Sequence, residues 1–228
     1  PRDILDAEIP VEKAVIPKAG SYRSSTKSIG DPADIERLAD ILVASERPAV
    51  LFGQQVWASG SHTSAIEFIR SLDIPAYMNG ASRGMLPETD PHHFDRTRSD
   101  AFKEADVILV VGTPFDFRMG YGRRISNAAT LVQIDQSYAT VGKNRDISLG
   151  LAGDPGAILK AVEQAASGRI DKGAQKQRQA WMARLREIEK AKLEKLLPMF
   201  QSEQNPIHPY RLAYEVNEFL NEDTIYIG

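Results

Sequence analysis

The chain has 228 residues, 42% of them hydrophobic and 26% charged, with a formal net charge of −3. One well-buried domain with appendages fits that length, and no general electrostatic pull toward nucleic acid or an anionic membrane is expected. There is no cysteine, which excludes disulfides, thiolate nucleophiles and cysteine-ligated zinc or iron–sulfur sites, and no apolar run approaches the roughly 18 residues of a membrane span.

Residues 1–30 read as a surface linker, with Pro10, Pro17 and a polar stretch from Ser21 to Ser28. Asp31-Pro32 is a helix start, an acceptor at the cap followed by a proline whose missing N–H is not needed there. Ile35, Leu38, Ile41 and Leu42 then share one face of a helix that ends near Ser45. From there the chain alternates. Ala49 to Phe52 is a short apolar run ending at Gly53, Ser64 to Leu72 is helical, and Pro75 to Met78 is a second strand followed by the turn-rich residues 79–84. Val107 to Val111 is the clearest strand; an unbroken apolar run between Asp106 and Gly112 implies burial on both faces. Thr130 to Ile134, ending at Asp135, and Ser148 to Ala152, ending at Gly153-Asp154, repeat the pattern, and Pro155 opens a helix through Ala166.

Short strands alternating with helices predict an α/β fold: a three-layer α/β/α, Rossmann-like parallel sheet of five to six strands with helices on both faces. Ligands of such sheets sit at the carboxyl ends of the strands, near the point where the strand order switches. The predicted core domain covers residues 31–168. Residues 169–204 read as a connecting segment, built on an amphipathic helix from Ala174 to Leu197 with Trp181, Leu185, Ile188 and Leu196 on one stripe. Residues 205–228 begin something new: Asn205-Pro206-Ile207-His208-Pro209 starts a helix, and Thr224 to Gly228 reads as a strand entering a turn. Both ends look like cuts in a longer protein.

The turn after the first strand, Gly53-Gln54-Gln55-Val56-Trp57-Ala58-Ser59-Gly60, lacks the glycine triplet of a dinucleotide fingerprint, which disfavours an NAD(P) site. Asp135 has two readings of equal weight: a ribose acceptor, or a turn aspartate capping the next segment. Thr113 and Pro114 come directly after the best strand and are placed to line a pocket. Arg98 and Arg118 suit a pyrophosphate, whereas Arg123 and Arg124 read as surface residues. His92 and His93, adjacent in sequence, point apart and make no metal site. No hydrolase elbow, zinc-protease motif or P-loop occurs, so no catalytic residue is assigned. The expected partner is a small molecule, with no nucleic acid and no membrane.

The segments Pro1-Arg2-Asp3-Ile4-Leu5, Arg47-Pro48-Ala49-Val50-Leu51-Phe52-Gly53, residues 80–87, residues 105–118, Val132-Gln133-Ile134-Asp135, Asn144-Arg145, Gly153-Asp154 and residues 205–209 together resemble, in order, the middle region of thiamine-diphosphate enzymes related to acetolactate synthase. The resemblance implies a three-domain, cytoplasmic parent acting as a homodimer or homotetramer. Residues 1–30 would leave its pyrimidine-binding domain and residues 205–228 would enter its diphosphate-binding domain. The thiamine-activating glutamate would lie before this chain and the magnesium–diphosphate motif after it. The parent would use thiamine diphosphate and magnesium to transfer acyl or hydroxyalkyl units from 2-keto acids, and the chain alone would be inactive and would bind neither. The resemblance further implies that the middle domain binds FAD, ADP, a CoA thioester or nothing, on Gly53, Arg83, Gly84, Thr113, Arg118, Asp135 and Asp154. One departure is Phe94-Asp95-Arg96-Thr97-Arg98-Ser99, which is closer to the 2-hydroxyacyl-CoA lyase and oxalyl-CoA decarboxylase branch than to FAD-dependent synthases. Those lyases are one alternative; a non-catalytic nucleotide-binding regulatory module is another.

Overall fold

The computed structural model describes residues 1–22, 25–221 and 223–225. Its first 30 residues hold a helical turn, α1 (Arg2–Leu5), and a 3-10 turn (Val11–Lys13), and every one described is exposed. α2 (Pro32–Ala44) starts as expected, with the Asp31 carboxylate accepting from the Ala33 amide at 2.8 Å and Pro32 in the first turn. β1 (Pro48–Phe52) comes next, then two helices, α3 (Gln54–Ala58) and α4 (His62–Leu72), and β2 (Ala76–Met78). α5 (Arg98–Glu104) leads into β3 (Val107–Val111), and β4 (Thr130–Asp135) and β5 (Leu149–Ala152) complete the sheet. α6 (Pro155–Ala166), the long α7 (Lys172–Glu194), α8 (Leu197–Phe200) and α9 (Pro209–Asn217) follow. No described helix is long and apolar enough to cross a membrane.

Among the described residues the four strand pairings are all parallel, in the order β2-β1-β3-β4-β5. β1 and β3 are buried at every position, which is why their sequences are apolar without alternation. The pleat still divides them. Val50, Phe52, Leu109, Val111, Val132 and Ile134 pack on α2, α4 and α6, while Ala49, Leu51, Ile108, Val110 and Leu131 pack on α5 and on Trp181 and Leu185 of α7. The three-layer parallel architecture expected from the alternating pattern is therefore present. The sequence pattern does not predict α3 and α5; each is too short, at 5 and 7 residues, to show a helical stripe. The strand expected at the carboxyl terminus falls mainly on residues outside those described.

The described sheet has five strands, the lower of the two expected counts, and the segment beside the β2 edge adds no sixth. Residues 92–94 run beside β2 for a single bridge: the Ala76 amide donates to the His92 carbonyl at 2.8 Å and the Phe94 amide to the Ala76 carbonyl at 3.0 Å. This segment is pinned by Asp90, whose carboxylate accepts from the Arg70 guanidinium at 2.6 Å and from the His92 amide at 2.9 Å. Burial alone would raise the Asp90 carboxyl, but the bonds from Arg70 and His92 outweigh it and hold the group below the usual aspartate range. A depressed folded-state pKa contributes stability that is complete above the unfolded value, near pH 4, and is lost as pH falls through the folded value. Asp90→Asn should thus lower stability by about 2 kcal/mol at neutral pH and make the decline below pH 4 shallower. Urea melts at pH 7 and pH 3 measure both, and an equal loss at the two pH values would show that the charge is irrelevant.

Candidate functional site

The strand order reverses direction between β1 and β3, so the tips of these strands mark the place where doubly wound sheets bind ligands. Here the tips touch. The Gly53 amide donates to the Val111 carbonyl at 2.7 Å, and a Cβ on Gly53 would stand 2.4 Å from the Thr113 Cβ and 2.5 Å from the Gly112 carbonyl oxygen. Gly112 has φ +70 and accepts from the Gln55 amide at 3.2 Å; a Cβ there would meet the Gln55 Cβ at 2.7 Å. Two glycines therefore let α3 lie directly over the tip of β3.

The side chain of Gln55 uses that passage. Its Nε2 donates to Asp135 Oδ1 at 3.0 Å, and its Oε1 accepts from the Gln136 amide at 2.9 Å. Asp135 Oδ1 also accepts from the Ser137 amide at 2.8 Å, which is the turn-capping contact, and the residue is fully buried. Its Oδ2 is one of three buried side-chain polar atoms without a partner among the described residues. Thr113 is buried beside Gly53, and a small cleft of ≈ 50 Å³ opens between Gln54, Gly80, Thr113 and Arg118.

Arg118 links this cleft to a larger one of ≈ 340 Å³ between the start of α5 and the 3-10 segment Phe117–Gly122. α5 runs into β3, so its amino end lies at the carboxyl edge of the sheet. Arg96, Arg98, Arg118 and Arg124 all line this cleft, with Asp95 as its one carboxylate. Arg118 is already engaged: its Nε and Nη2 reach Asp116 Oδ2 at 3.0 and 2.6 Å. That contact lowers the Asp116 carboxyl and raises the Arg118 guanidinium. The guanidiniums of Arg96, Arg98 and Arg124 have no acceptor among the described residues. Arg124, expected on the surface, is exposed yet forms part of this wall. Phe117, 73% exposed, adds an aromatic face at the rim.

The eight candidates thus fall into groups. Gly53, Thr113 and Asp135 meet at the strand tips, Gln55 joining the last to the others, and Arg98 joins Arg118 in the arginine-lined cleft. Arg83 and Gly84 border a third cleft, ≈ 360 Å³, which shares Asp95 with the arginine-lined one. Asp154 stands apart as a helix cap: its Oδ1 accepts from the Ala157 amide at 2.9 Å and from Lys27 Nζ at 3.1 Å, while Ser61 Oγ accepts from the Gly156 amide at 2.9 Å. The amino end of α6 is therefore satisfied from within. Sequence reasoning missed Gln55 as an individual residue and Arg96 and Arg124 as lining residues. The available signal was the pairing of Arg96 and Arg98 before β3 with Arg118, Arg123 and Arg124 after it.

The family model described as "Thiamine pyrophosphate enzyme, central domain" matches residues 35–162, from α2 to α6. The acetolactate synthase large subunit IlvG of Mycobacterium tuberculosis is 32% identical over 200 residues, covering 85% of this chain and 34% of that one. Human 2-hydroxyacyl-CoA lyase 2 is 29% identical over 209 residues, covering 86% of this chain and 31% of that one. The chain spans about a third of the length of these curated relatives. Among solved structures, benzoylformate decarboxylase from Polynucleobacter necessarius shares the fold, with a TM-score of 0.54 at 21% identity over 67% of this chain and 30% of that one.

Proposed function

Since the chain belongs to the family of thiamine pyrophosphate enzyme central domains, we propose that it is the nucleotide-holding middle of an acetolactate synthase-like parent, which transfers acyl or hydroxyalkyl units from 2-keto acids. Kinship with an acetolactate synthase large subunit supports that reaction class. Thiamine diphosphate would supply the carbanion chemistry in the parent. This chain's described residues do not fit that cofactor's metal–diphosphate end, because no three His, Asp or Glu side chains cluster to hold an ion. The chain's own task is positional.

The observation that carries the reading is the set of three acceptor-free guanidiniums, Arg96, Arg98 and Arg124, gathered with Arg118 around one cleft. Planar forks in that density match phosphate oxygens, so the cleft holds the diphosphate of FAD, ADP or a CoA thioester. A lyase parent acting on 2-hydroxyacyl-CoA is the second reading. What favours it is the arginine count: a CoA thioester carries a third phosphate, on its ribose, and so uses more guanidiniums than a bare diphosphate.

Calorimetric titration with ADP, CoA and FAD tests the site. Arg98→Ala should weaken ADP binding about 10- to 50-fold, the worth of a charge-assisted hydrogen bond. Arg118→Ala should weaken it less, because Asp116 already neutralises that guanidinium. Affinities that are unchanged by Arg98→Ala would sink the assignment.

A further inference from the structure

We infer that Gln55 is a latch that sets the affinity of the nucleotide site by competing with a ribose for the Asp135 carboxylate. The inference rests on the nucleotide reading above and adds the residue that controls it.

The Gln55 side chain takes an unusual route. It starts on α3, after β1, crosses the tip of β3 over Gly112, and ends on β4 and the turn beyond it, with both ends of its amide bonded. It spans three strand tips at the place where this sheet order puts a ligand. Gly112 is what makes the crossing possible, since any Cβ there would strike Gln55. Asp135 is fully buried, yet its Oδ2 has no donor among the described residues. A buried carboxylate oxygen left unpaired is costly, and nothing on the surrounding described residues relieves it.

A ribose diol would relieve it. Two adjacent hydroxyls can donate to the two oxygens of one carboxylate, so a nucleotide sugar would satisfy Oδ2 and replace the Gln55 amide on Oδ1. The Ser137 amide stays on Oδ1 throughout, holding the carboxylate in place. The exchange requires Gln55 to leave, giving up its bonds to Asp135 and to the Gln136 amide. With Gln55 in place its amide holds the carboxylate oxygen that a ribose hydroxyl would take, and binding of a ribonucleotide is weakened by the cost of breaking that bond. A ligand held through the arginine-lined cleft alone would not feel this cost.

The test is a comparison of ADP with 2′,3′-dideoxy-ADP, measured by calorimetry on the wild-type chain and on Gln55→Ala. The latch predicts that Gln55→Ala binds ADP about tenfold more tightly, while its affinity for the dideoxy nucleotide stays at the wild-type value. Should the alanine variant not fold, Gln55→Leu keeps the volume over Gly112, loses only the polar bonds, and is read by the same comparison. Equal changes for the two nucleotides, or no change for either, overturn the latch. If ADP binding still depends on Arg98 in that case, the nucleotide reading survives it. Absence of ADP binding to any of the proteins overturns both.

Discussion

Arg178→Ala is expected to lower the stability of the chain by about 4 kcal/mol. Arg178 is the largest fully buried side chain among the described residues, on a helix whose other faces are charged and exposed. Its guanidinium donates to three carbonyls: Nε to Ser45 at 3.1 Å, and the two terminal nitrogens to Leu72 and Leu42. These are the carboxyl ends of α2 and α4, where carbonyls lack intrahelical partners and the helix dipole favours a cation. Burial pushes the guanidinium below its usual value, and nearby Asp106 and Asp73 counter the shift. One side chain thus ties α7 to two helices that pack on the opposite face of the sheet. Alanine would strand three buried carbonyls and open a cavity as well. For a protein of this size about 4 kcal/mol corresponds to a fall of roughly 10 °C in melting temperature. Arg178→Met separates the two effects, since it fills the space and bonds nothing. If the methionine variant melted within a degree of wild type, the carbonyl contacts would be shown to matter little and the cavity would account for the loss.

The second large effect is expected at Gly53. Gly53→Ala should lower stability by about 3 kcal/mol, the upper range for overpacking, and in the same step disturb the proposed nucleotide site. Its φ of −113 is one that any residue adopts, so the constraint is space alone. The atoms in the way are the Gly112 carbonyl oxygen and the Thr113 Cβ. They cannot retreat while the Gly53 amide stays bonded to the Val111 carbonyl, and moving β3 moves the tip over which Gln55 passes. Gly84→Ala is the useful contrast. A Cβ there meets nothing within 4 Å, and only its φ of +85 opposes the change, so it should cost about 1 kcal/mol. Urea unfolding of both variants gives the comparison, with ADP titration as a second reading on Gly53→Ala. Equal losses at the two positions would contradict the close contact between the strand tips.

The strands were legible because a strand buried on both faces needs no neighbour to declare itself. Val107 to Val111 is apolar at every position and is buried at every position. The charged residues at core positions were not legible in the same way. Arg178 and Glu189 lie on the same stripe of α7 as Trp181 and Leu185, and a sequence reading takes arginine and glutamate there as solvated. Their partners are far away in the chain: Arg178 meets Ser45, 133 residues distant, and Glu189 accepts from the amides of Asp95 and Arg96. The connecting helix consequently belongs to the packed second face of the sheet, through Trp181, Leu185 and the Trp181 Nε1 bond to the Pro48 carbonyl at 3.0 Å.

Local chemistry alone determined that this chain folds as parallel strands alternating with helices, that each strand ends in a polar or glycine tip, and that Asp31 and Asp154 each precede a helix. Periodicity, proline placement and capping act over a few residues, so they can be read from the order of the letters. Only the tertiary structure decided which tips are neighbours. β1 sits between β2 and β3, the segment that enters α5 brings Arg96 and Arg98 up to Arg118 and Arg124, and Gln55 crosses a glycine to reach Asp135. Those contacts are set by how the crossover helices pack over the sheet, and no stretch of sequence short enough to read by itself contains that information.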